Sequence, residues 1–346
     1  MRSPRFIPAL VGVILLAAAC GGGAKPAAVA NTPSAPPSSS SPTPTATQAA
    51  ATCPLTGVAP AKGQDIHRAP LAVKIDNINL ARPQAGVNHA DVVVEELVEG
   101  GLTRLFAVFQ CDSASKVGPI RSARTSDADL LALLHGSVFA FSGSNPRALP
   151  QIRAHGNTVL ISYDVYGGAF YRDGSRPAPH NVFSSTSTML KAGLAHRPKL
   201  TAPPALFSYG PASKAAKHAT SVAMSWPQAS ASWHWTGSAW ARTQNGTADT
   251  LVDGSRVTAA NVVVMSIAIG STGIRDVLGN ASPLDVTVGS GKVWVFRDGS
   301  WIGGTWHRAK IGSPLRLTDA SGATILLHPG RTWIELLPRP RVPKAA

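Results

Sequence analysis

Hydrophobic and polar positions alternate in two different ways along the chain. In the first half, four short apolar runs rich in β-branched or aromatic residues predict strands: Leu71–Ile75, Val92–Leu97, Leu105–Phe109 and Ser137–Phe141. Between the last two runs, Ser126–His135 predicts a helix, because Ser126 stands where a cap is needed and leucines supply one apolar face. This mixture of strand and helix patterns predicts an α/β domain over residues 54–215.

The second half has a different pattern. Short alternating runs are separated by turn dipeptides such as Asp253-Gly254 and Asp298-Gly299, which is typical of antiparallel strands. We therefore expect a mainly antiparallel β domain over residues 216–340, with the boundary between the domains near residues 205–220. All of the tryptophans lie at or after Trp226, and they can either fill a β core, which is their commoner use, or stack on sugar rings.

The start of the chain has the three zones of an export signal. Arg2 and Arg5 precede an apolar run that ends in three alanines and Cys20. The run is shorter than the ~20 residues of a membrane span, so residues 1–19 are predicted to be a signal peptide. The small residues before Cys20 resemble a lipobox, in which the cysteine is acylated, although Ala17 replaces the usual leucine. The alternative is a plain signal peptide with a chance cysteine.

Residues 20–53 are interpreted as the lipidated cysteine followed by a tether. Residues 21–52 consist almost entirely of Ala, Gly, Pro, Ser and Thr, and Lys25 is their only charged residue. Such a composition lacks the apolar side chains that offset the entropy of ordering a chain. Cys53 and Cys111 remain outside the predicted anchor, and an exported pair of cysteines is expected to form a disulfide.

The formal net charge of +14 suggests an anionic partner. Nucleic acid is not expected, because the chain is predicted to be exported and has no recognition motif. The membrane, an anionic wall polymer or a lipid-linked glycan fits better. The sequence identifies no protein partner. It contains no HExxH, CxxC or GxSxG motif, so we expect no metal site, no cofactor and no hydrolase nucleophile of that type.

Candidate site residues follow the strand predictions of the first half. The candidates for acid–base chemistry are Asp76, Glu95, Glu99 and His180. The candidates for ligand binding are polar or cationic: Arg82, Arg104, Arg121, Arg124, Arg172 and Asn181. Arg121 and Arg124 stand just before the predicted helix, where N–H groups and guanidinium groups can bind an anion together. The alternative is internal, because Asp127 and Asp129 can neutralise both the helix start and the arginines.

Several motifs occur in an order that resembles the YerB-type family of bacterial lipoproteins, a family of unknown function. The resemblance rests in the first half on Pro70–Asn77, Ala81–Gln84, Ala90–Val93, Val98–Arg104, Val117–Arg124 and Ala178–Asn181. In the second half it rests on Gly289–Lys292, Val295–Gly299, Gly304–Trp306 and Pro329–Trp333. It implies a lipoprotein with an α/β N-terminal domain and a β C-terminal domain, and it implies no activity.

A weaker similarity concerns the strand at Leu105–Phe109, the arginine motif at Arg121 and the following helix. This order is similar to the LytR-CpsA-Psr phosphotransferases, whose acidic metal-binding positions have no assigned counterparts here. Two hypotheses follow for a protein held on the outer face of the cytoplasmic membrane. The first is a lipoprotein that binds an anionic wall or lipid-linked ligand in an arginine-rich cleft. The alternative is a phosphotransferase or hydrolase acting on phosphate-linked envelope glycans.

Overall fold

The computed structural model describes residues 51–145, 148–154, 157–197 and 199–346. The predicted signal peptide at residues 1–19, the lipidation at Cys20 and nearly all of the predicted tether, residues 20–53, lie outside these described residues. The described residues belong to one compact unit. None of the described helices is long and apolar enough to cross a membrane.

Strands dominate the described chain. The first half contains seven strands: β1 Leu71–Asp76, β2 Val92–Leu97, β3 Thr103–Phe109, β4 Ser137–Phe141, β5 Thr158–Ser162, β6 Tyr171–Arg172 and β7 Val182–Phe183. The next six are short: β8 Lys217–His218, β9 Ser221–Ser225, β10 Ser230–Trp235, β11 Trp240–Gln244, β12 Thr247–Ala248 and β13 Thr258–Ala259. The last seven include the longest: β14 Asn261–Arg275, β15 Ala281–Val286, β16 Gly289–Arg297, β17 Ser300–Arg308, β18 Arg316–Asp319, β19 Thr332–Pro338 and β20 Lys344–Ala345.

Within the described ranges, three α-helices accompany the strands: α1 Asp127–Ala132, α2 Ala148–Ala154 and α3 Thr186–Leu194. The helix predicted at Ser126–His135 is present as the shorter α1. Ser126 does not cap it, because its hydroxyl accepts a hydrogen bond from the backbone N–H of Asp285 at 3.0 Å. The structure is mostly β with a mixed sheet, and three short helices do not establish an α/β class for residues 54–215.

One large sheet contains strands from both halves of the chain. Its order is β18-β17-β16-β14-β19-β2-β3-β1-β4-β5, with β15 paired to β14 and β8 paired to β17. The late strand β19 is parallel to both of its neighbours, β14 and β2. The predicted strands in the first half are confirmed, and the two halves of the chain share a backbone hydrogen-bond network.

Strands β1 to β4 are buried on both faces of the large sheet, which explains why most of their residues are apolar. Alternate residues of β1 separate between the faces, so that Val73 and Ala72 belong to different apolar clusters. On the face of Val73 lies a second sheet of order β12-β11-β10-β9-β20, with β13 paired to β11. Trp233 and Trp240 from this sheet are fully buried beside Trp333 and Phe296 of the large sheet.

These contacts assign most tryptophans to the core. Trp226, Trp233, Trp240, Trp306 and Trp333 are no more than 2% exposed. The predicted disulfide is also present, joining Cys53 to Cys111 with 6.0 Å between their Cα atoms. It attaches the start of the body to the end of β3.

Candidate functional site

An open cleft of about 560 Å³ lies at the end of β1 and the beginning of β3. The segment before α1 and the loop between β14 and β15 complete its walls, so both halves of the chain contribute to it. Its charged lining residues are Asp76, Glu99, Arg104, Arg121, Arg124, Arg275 and Asp276. The structure thus brings five of the sequence-predicted candidates, two acids and three arginines, into one open space.

Asp76 ends β1 and is 1% exposed. Its Oδ2 atom lies 3.0 Å from Nε of Arg121 and 2.7 Å from Nδ1 of His180. Its Oδ1 atom accepts the backbone N–H of Asn77 at 2.9 Å. The carboxylate is therefore held in place by a cation, an imidazole and the main chain, and its negative charge is compensated within the cleft wall.

Glu99 forms the second internal pair of the cleft. Its Oε2 atom accepts hydrogen bonds at 2.7 Å from Arg124, and its Oε1 atom accepts the Ser282 hydroxyl at 2.6 Å. Burial acts to raise the pKa of Glu99, but Arg124 and Ser282 outweigh it, so the pKa is lowered from its ordinary value. Glu99 is therefore ionised at neutral pH and neutralises Arg124.

Arg104 differs from Arg121 and Arg124 because no carboxylate of the described residues lies within salt-bridge distance of its guanidinium group. The residue is 8% exposed, and its Nη1 atom donates to the Ser122 carbonyl oxygen at 3.1 Å. Burial, together with repulsion from Arg124 and Arg121, lowers the pKa of Arg104 to about 9, while Asp76 acts in the opposite direction. Arg104 still carries its proton at neutral pH, so a positive charge is held in the cleft without an ion pair.

Arg275 brings a fourth guanidinium group from the second half of the chain. It ends β14 and donates to the Gly279 carbonyl oxygen across the following turn, at 2.5 Å. The sequence analysis missed Arg275, because its position beside the first-half arginines depends on the pairing of β14 with β19 and of β19 with β2. The only local indication of a site there was the dipeptide Arg275-Asp276, which the apolar residues Val277 and Leu278 follow in the sequence.

Glu95 points away from the cleft. Its Oε1 atom accepts hydrogen bonds from Asn77 and Thr103 at 3.0 and 2.6 Å, and its Oε2 atom pairs with the fully buried Arg242. Arg242 also pairs with Asp249 and lies 4.0 Å from Glu335. The sequence analysis did not identify this buried network, which joins the large sheet to the second sheet.

The remaining ligand candidates also lie outside the cleft lining. Arg82 is half-buried and hydrogen-bonds Asn79. Arg172 donates to the Tyr163 hydroxyl at 3.0 Å and to Oδ1 of Asn181 at 2.7 Å. Exposed Arg172 and buried Asn181 therefore form a separate pair at β6 and β7.

The start of α1 is neutralised internally. Asp127 accepts the backbone N–H of Arg124 at 2.6 Å and the Lys74 ammonium group at 2.7 Å, and Lys74 also pairs with Glu96. The guanidinium groups of Arg121 and Arg124 pair with Asp76 and Glu99 instead of the helix acids. The chemistry of the cleft therefore depends on its arginines and not on the helix dipole.

Within the residues that the structure describes, no cluster of three or more His, Cys, Asp or Glu side chains could hold a metal ion. The cleft instead offers guanidinium groups, which suit phosphate or carboxylate groups through paired N–H donors. Its carboxylates already accept hydrogen bonds from neighbouring side chains. The arrangement is suited to bind an anion.

Comparison with known proteins places the whole body in one family. The model for the N-terminal domain of a protein of unknown function, DUF3048, matches residues 55–199, and the model for its C-terminal domain matches residues 221–334. A protein of Bacillus subtilis named "Putative lipoprotein YerB" is 30% identical over 82% of this chain and 86% of its own length. The crystal structure of Bacillus subtilis YerB superposes with a TM-score of 0.72 at 25% identity, covering 84% of this chain and 98% of that structure. This chain belongs to the DUF3048 family and contains both of its domains.

Proposed function

We propose that this protein is a lipoprotein of the outer face of the cytoplasmic membrane that binds an anionic wall polymer or a lipid-linked ligand in the arginine-lined cleft. The observation that carries the proposal is the unpaired, buried charge of Arg104, which opens onto a cleft shared with Arg121, Arg124 and Arg275. The relative named as a lipoprotein and the lipobox-like residues before Cys20 support the anchoring.

The electrostatics of the cleft support an anionic ligand. Asp76 compensates Arg121, and Glu99 compensates Arg124. Asp276 is the third carboxylate of the lining, so the four arginines leave the cleft with an excess of one positive charge, and Arg104 has no carboxylate of its own. A buried charge without a partner is costly in the free protein. A phosphate group that enters the cleft would therefore gain from two guanidinium groups and also relieve the cost of burying Arg104.

A second candidate function is a phosphotransferase or hydrolase acting on phosphate-linked glycans. It is favoured by the pairing of Nδ1 of His180 with Oδ2 of Asp76 at 2.7 Å, since a carboxylate in this position orients an imidazole for proton transfer. Binding remains the first proposal, because Asp76 is also paired with Arg121 and is not free to act as a base or to hold a cation.

The proposal is tested by the thermal stability of residues 51–346 with and without polyprenyl-pyrophosphate analogues and phosphate-containing wall polymers. A ligand present at 100 times its Kd stabilises the folded state by ~2.7 kcal/mol. We expect such a shift for the wild type and its loss in Arg104→Gln. Arg172→Gln is the matched control, because Arg172 is an arginine outside the cleft, and it should retain the shift.

Equal shifts in the wild type and Arg104→Gln would reject the cleft as the binding site. No shift with any of these anions would reject the binding proposal itself. Release of phosphate or transfer of glycan that depends on His180, measured on the same samples, would establish the enzymatic alternative.

A further inference from the structure

The hairpin formed by β14 and β15 carries two exposed apolar side chains at its tip. Val277 is 102% exposed and Leu278 is 82% exposed, the highest values among the large apolar residues that the structure describes. Both residues line the rim of the arginine cleft. Isolated exposed apolar residues are common, but two adjacent ones beside a cluster of cations form an amphiphilic surface.

The turn below these side chains is firmly held. Oδ1 of Asp276 accepts the backbone N–H groups of Leu278 and Asn280 at 2.9 and 2.8 Å, and the Arg275 guanidinium group bonds the Gly279 carbonyl oxygen. The hydrogen bonds of the tip are thus made within the hairpin itself. These hydrogen bonds fix the turn while the side chains of Val277 and Leu278 remain exposed to solvent.

Further apolar residues continue from the tip into the cleft. Leu102, which is 37% exposed, also lines the cleft, as do Ile78 and Val98. The cleft therefore has both cationic and apolar lining residues. A ligand that matches both parts has an anionic head group and a hydrocarbon portion, as a phospholipid does.

We propose that the Val277–Leu278 tip enters the surface of a lipid bilayer while the cleft takes the phosphate of an anionic membrane lipid. This inference rests on the proposed function and names its ligand class. Interfacial binding combines apolar insertion with attraction of basic side chains to anionic lipids, and the hairpin supplies both. An anchor at Cys20 allows the contact, because residues 21–52 can span on the order of 100 Å when extended, at ~3.3–3.6 Å per residue.

The test measures binding of residues 51–346 to vesicles of phosphatidylcholine alone and of phosphatidylcholine mixed with phosphatidylglycerol. We expect binding only to the mixed vesicles, and weaker binding at high salt. The double variant Val277→Ser/Leu278→Ser should bind these vesicles on the order of tenfold more weakly, because it loses the apolar insertion. Val165→Ser is the matched control, since Val165 is 74% exposed in another loop, and it should bind as the wild type does.

A second measurement separates this inference from the proposed function. Soluble glycerol phosphate polymer should raise the melting temperature of the wild type and of the tip variant equally, while Arg104→Gln should lose both polymer and vesicle binding. Unchanged vesicle binding by the tip variant, or polymer binding without vesicle binding in the wild type, would overturn the lipid inference and leave the cleft as an anion site. Failure of the wild type to bind any of these anions would overturn both.

Discussion

Replacing Arg104 with methionine distinguishes the effect of this side chain on the free energy of unfolding from its effect on anion binding. Methionine has a similar length and no charge, so it can fill the same space against the cleft wall. If the buried charge serves a ligand, its removal should increase the free energy of unfolding of the unliganded protein and abolish anion binding.

The structure gives the scale of this effect. Burial, and then repulsion by Arg124 and Arg121, lowers the pKa of Arg104 from its ordinary value to about 9. At ~1.4 kcal/mol per pH unit this difference corresponds to at most ~5 kcal/mol of unfavourable interaction. Loss of the hydrogen bond to the Ser122 carbonyl opposes the gain by ~1 kcal/mol. We expect a net stabilisation of ~1–3 kcal/mol, within the range seen when buried ions are replaced by apolar side chains.

The sign of the pH dependence follows from the lowered pKa. Arg104 is protonated in the folded and unfolded states below pH 9, so the penalty is fully present there. The penalty decreases as the pH rises above about 9, because the folded state then releases its proton before the unfolded state does. The advantage of Arg104→Met should therefore be constant around neutral pH and decrease in alkaline solution.

Urea unfolding at neutral pH measures the difference, and Arg124→Met in the same cleft is the control. Arg124 is paired with Glu99, so this variant leaves a buried carboxylate without its cation and should be ~3 kcal/mol less stable than the wild type. The two variants should thus change stability in opposite directions. A loss of stability in Arg104→Met as large as that in Arg124→Met would refute the interpretation of Arg104 as a charge held for a ligand.

Three further predictions concern the body of the protein. Arg242→Met should reduce the free energy of unfolding, measured in urea, by ~3–5 kcal/mol, because it leaves buried carboxylates unpaired. An unchanged free energy of unfolding would mean that the ion pairs of Arg242 do not contribute to stability. Removing the disulfide by Cys53→Ser/Cys111→Ser should lower the free energy of unfolding by ~4 kcal/mol, because the bridge closes a loop with a sequence separation of 58. A double variant as stable as the wild type in urea would contradict this. Burial raises the pKa of Asp91 to about 6. The wild type should therefore gain stability relative to Asp91→Asn as the pH falls from 7 to about 4, because the folded state binds the proton first. Parallel stability profiles of the two proteins over this pH range would exclude a raised pKa for Asp91.

The strands of the first half were predictable because their residues must be buried on both faces. Leu105–Phe109 contains no polar residue, and the structure places β3 inside the large sheet, between β2 and β1. The continuation of this sheet through β19 was not predictable. The pairing of β19 with β2 joins residues more than two hundred positions apart, and no local pattern specifies it.

The sequence indicated which types of residue form the candidate site, arginines and carboxylates, but not which individual residues line it. Glu95 and Glu99 stand close together in the sequence, yet Glu95 faces Arg242 of the second sheet and Glu99 faces Arg124. The alternation of side chains along β2 separates Glu95 from Glu96, but it does not reveal which groups lie opposite each of them. Which of these acids lines the cleft depends on arginines that lie far away in the sequence, Arg242 for Glu95 and Arg124 for Glu99.

Binding of a tetrahedral anion at Arg104 is what distinguishes a ligand cleft from a purely structural group of arginines. Its most direct test is a crystal of residues 51–346 soaked in selenate, whose anomalous scattering locates the ion without assumptions about the ligand. We expect a peak within hydrogen-bonding distance of the Arg104 guanidinium group, and no peak there in crystals of Arg104→Met. Selenate found only beside Arg172 or at lattice contacts, with the cleft empty, would show that the cleft does not bind such an anion.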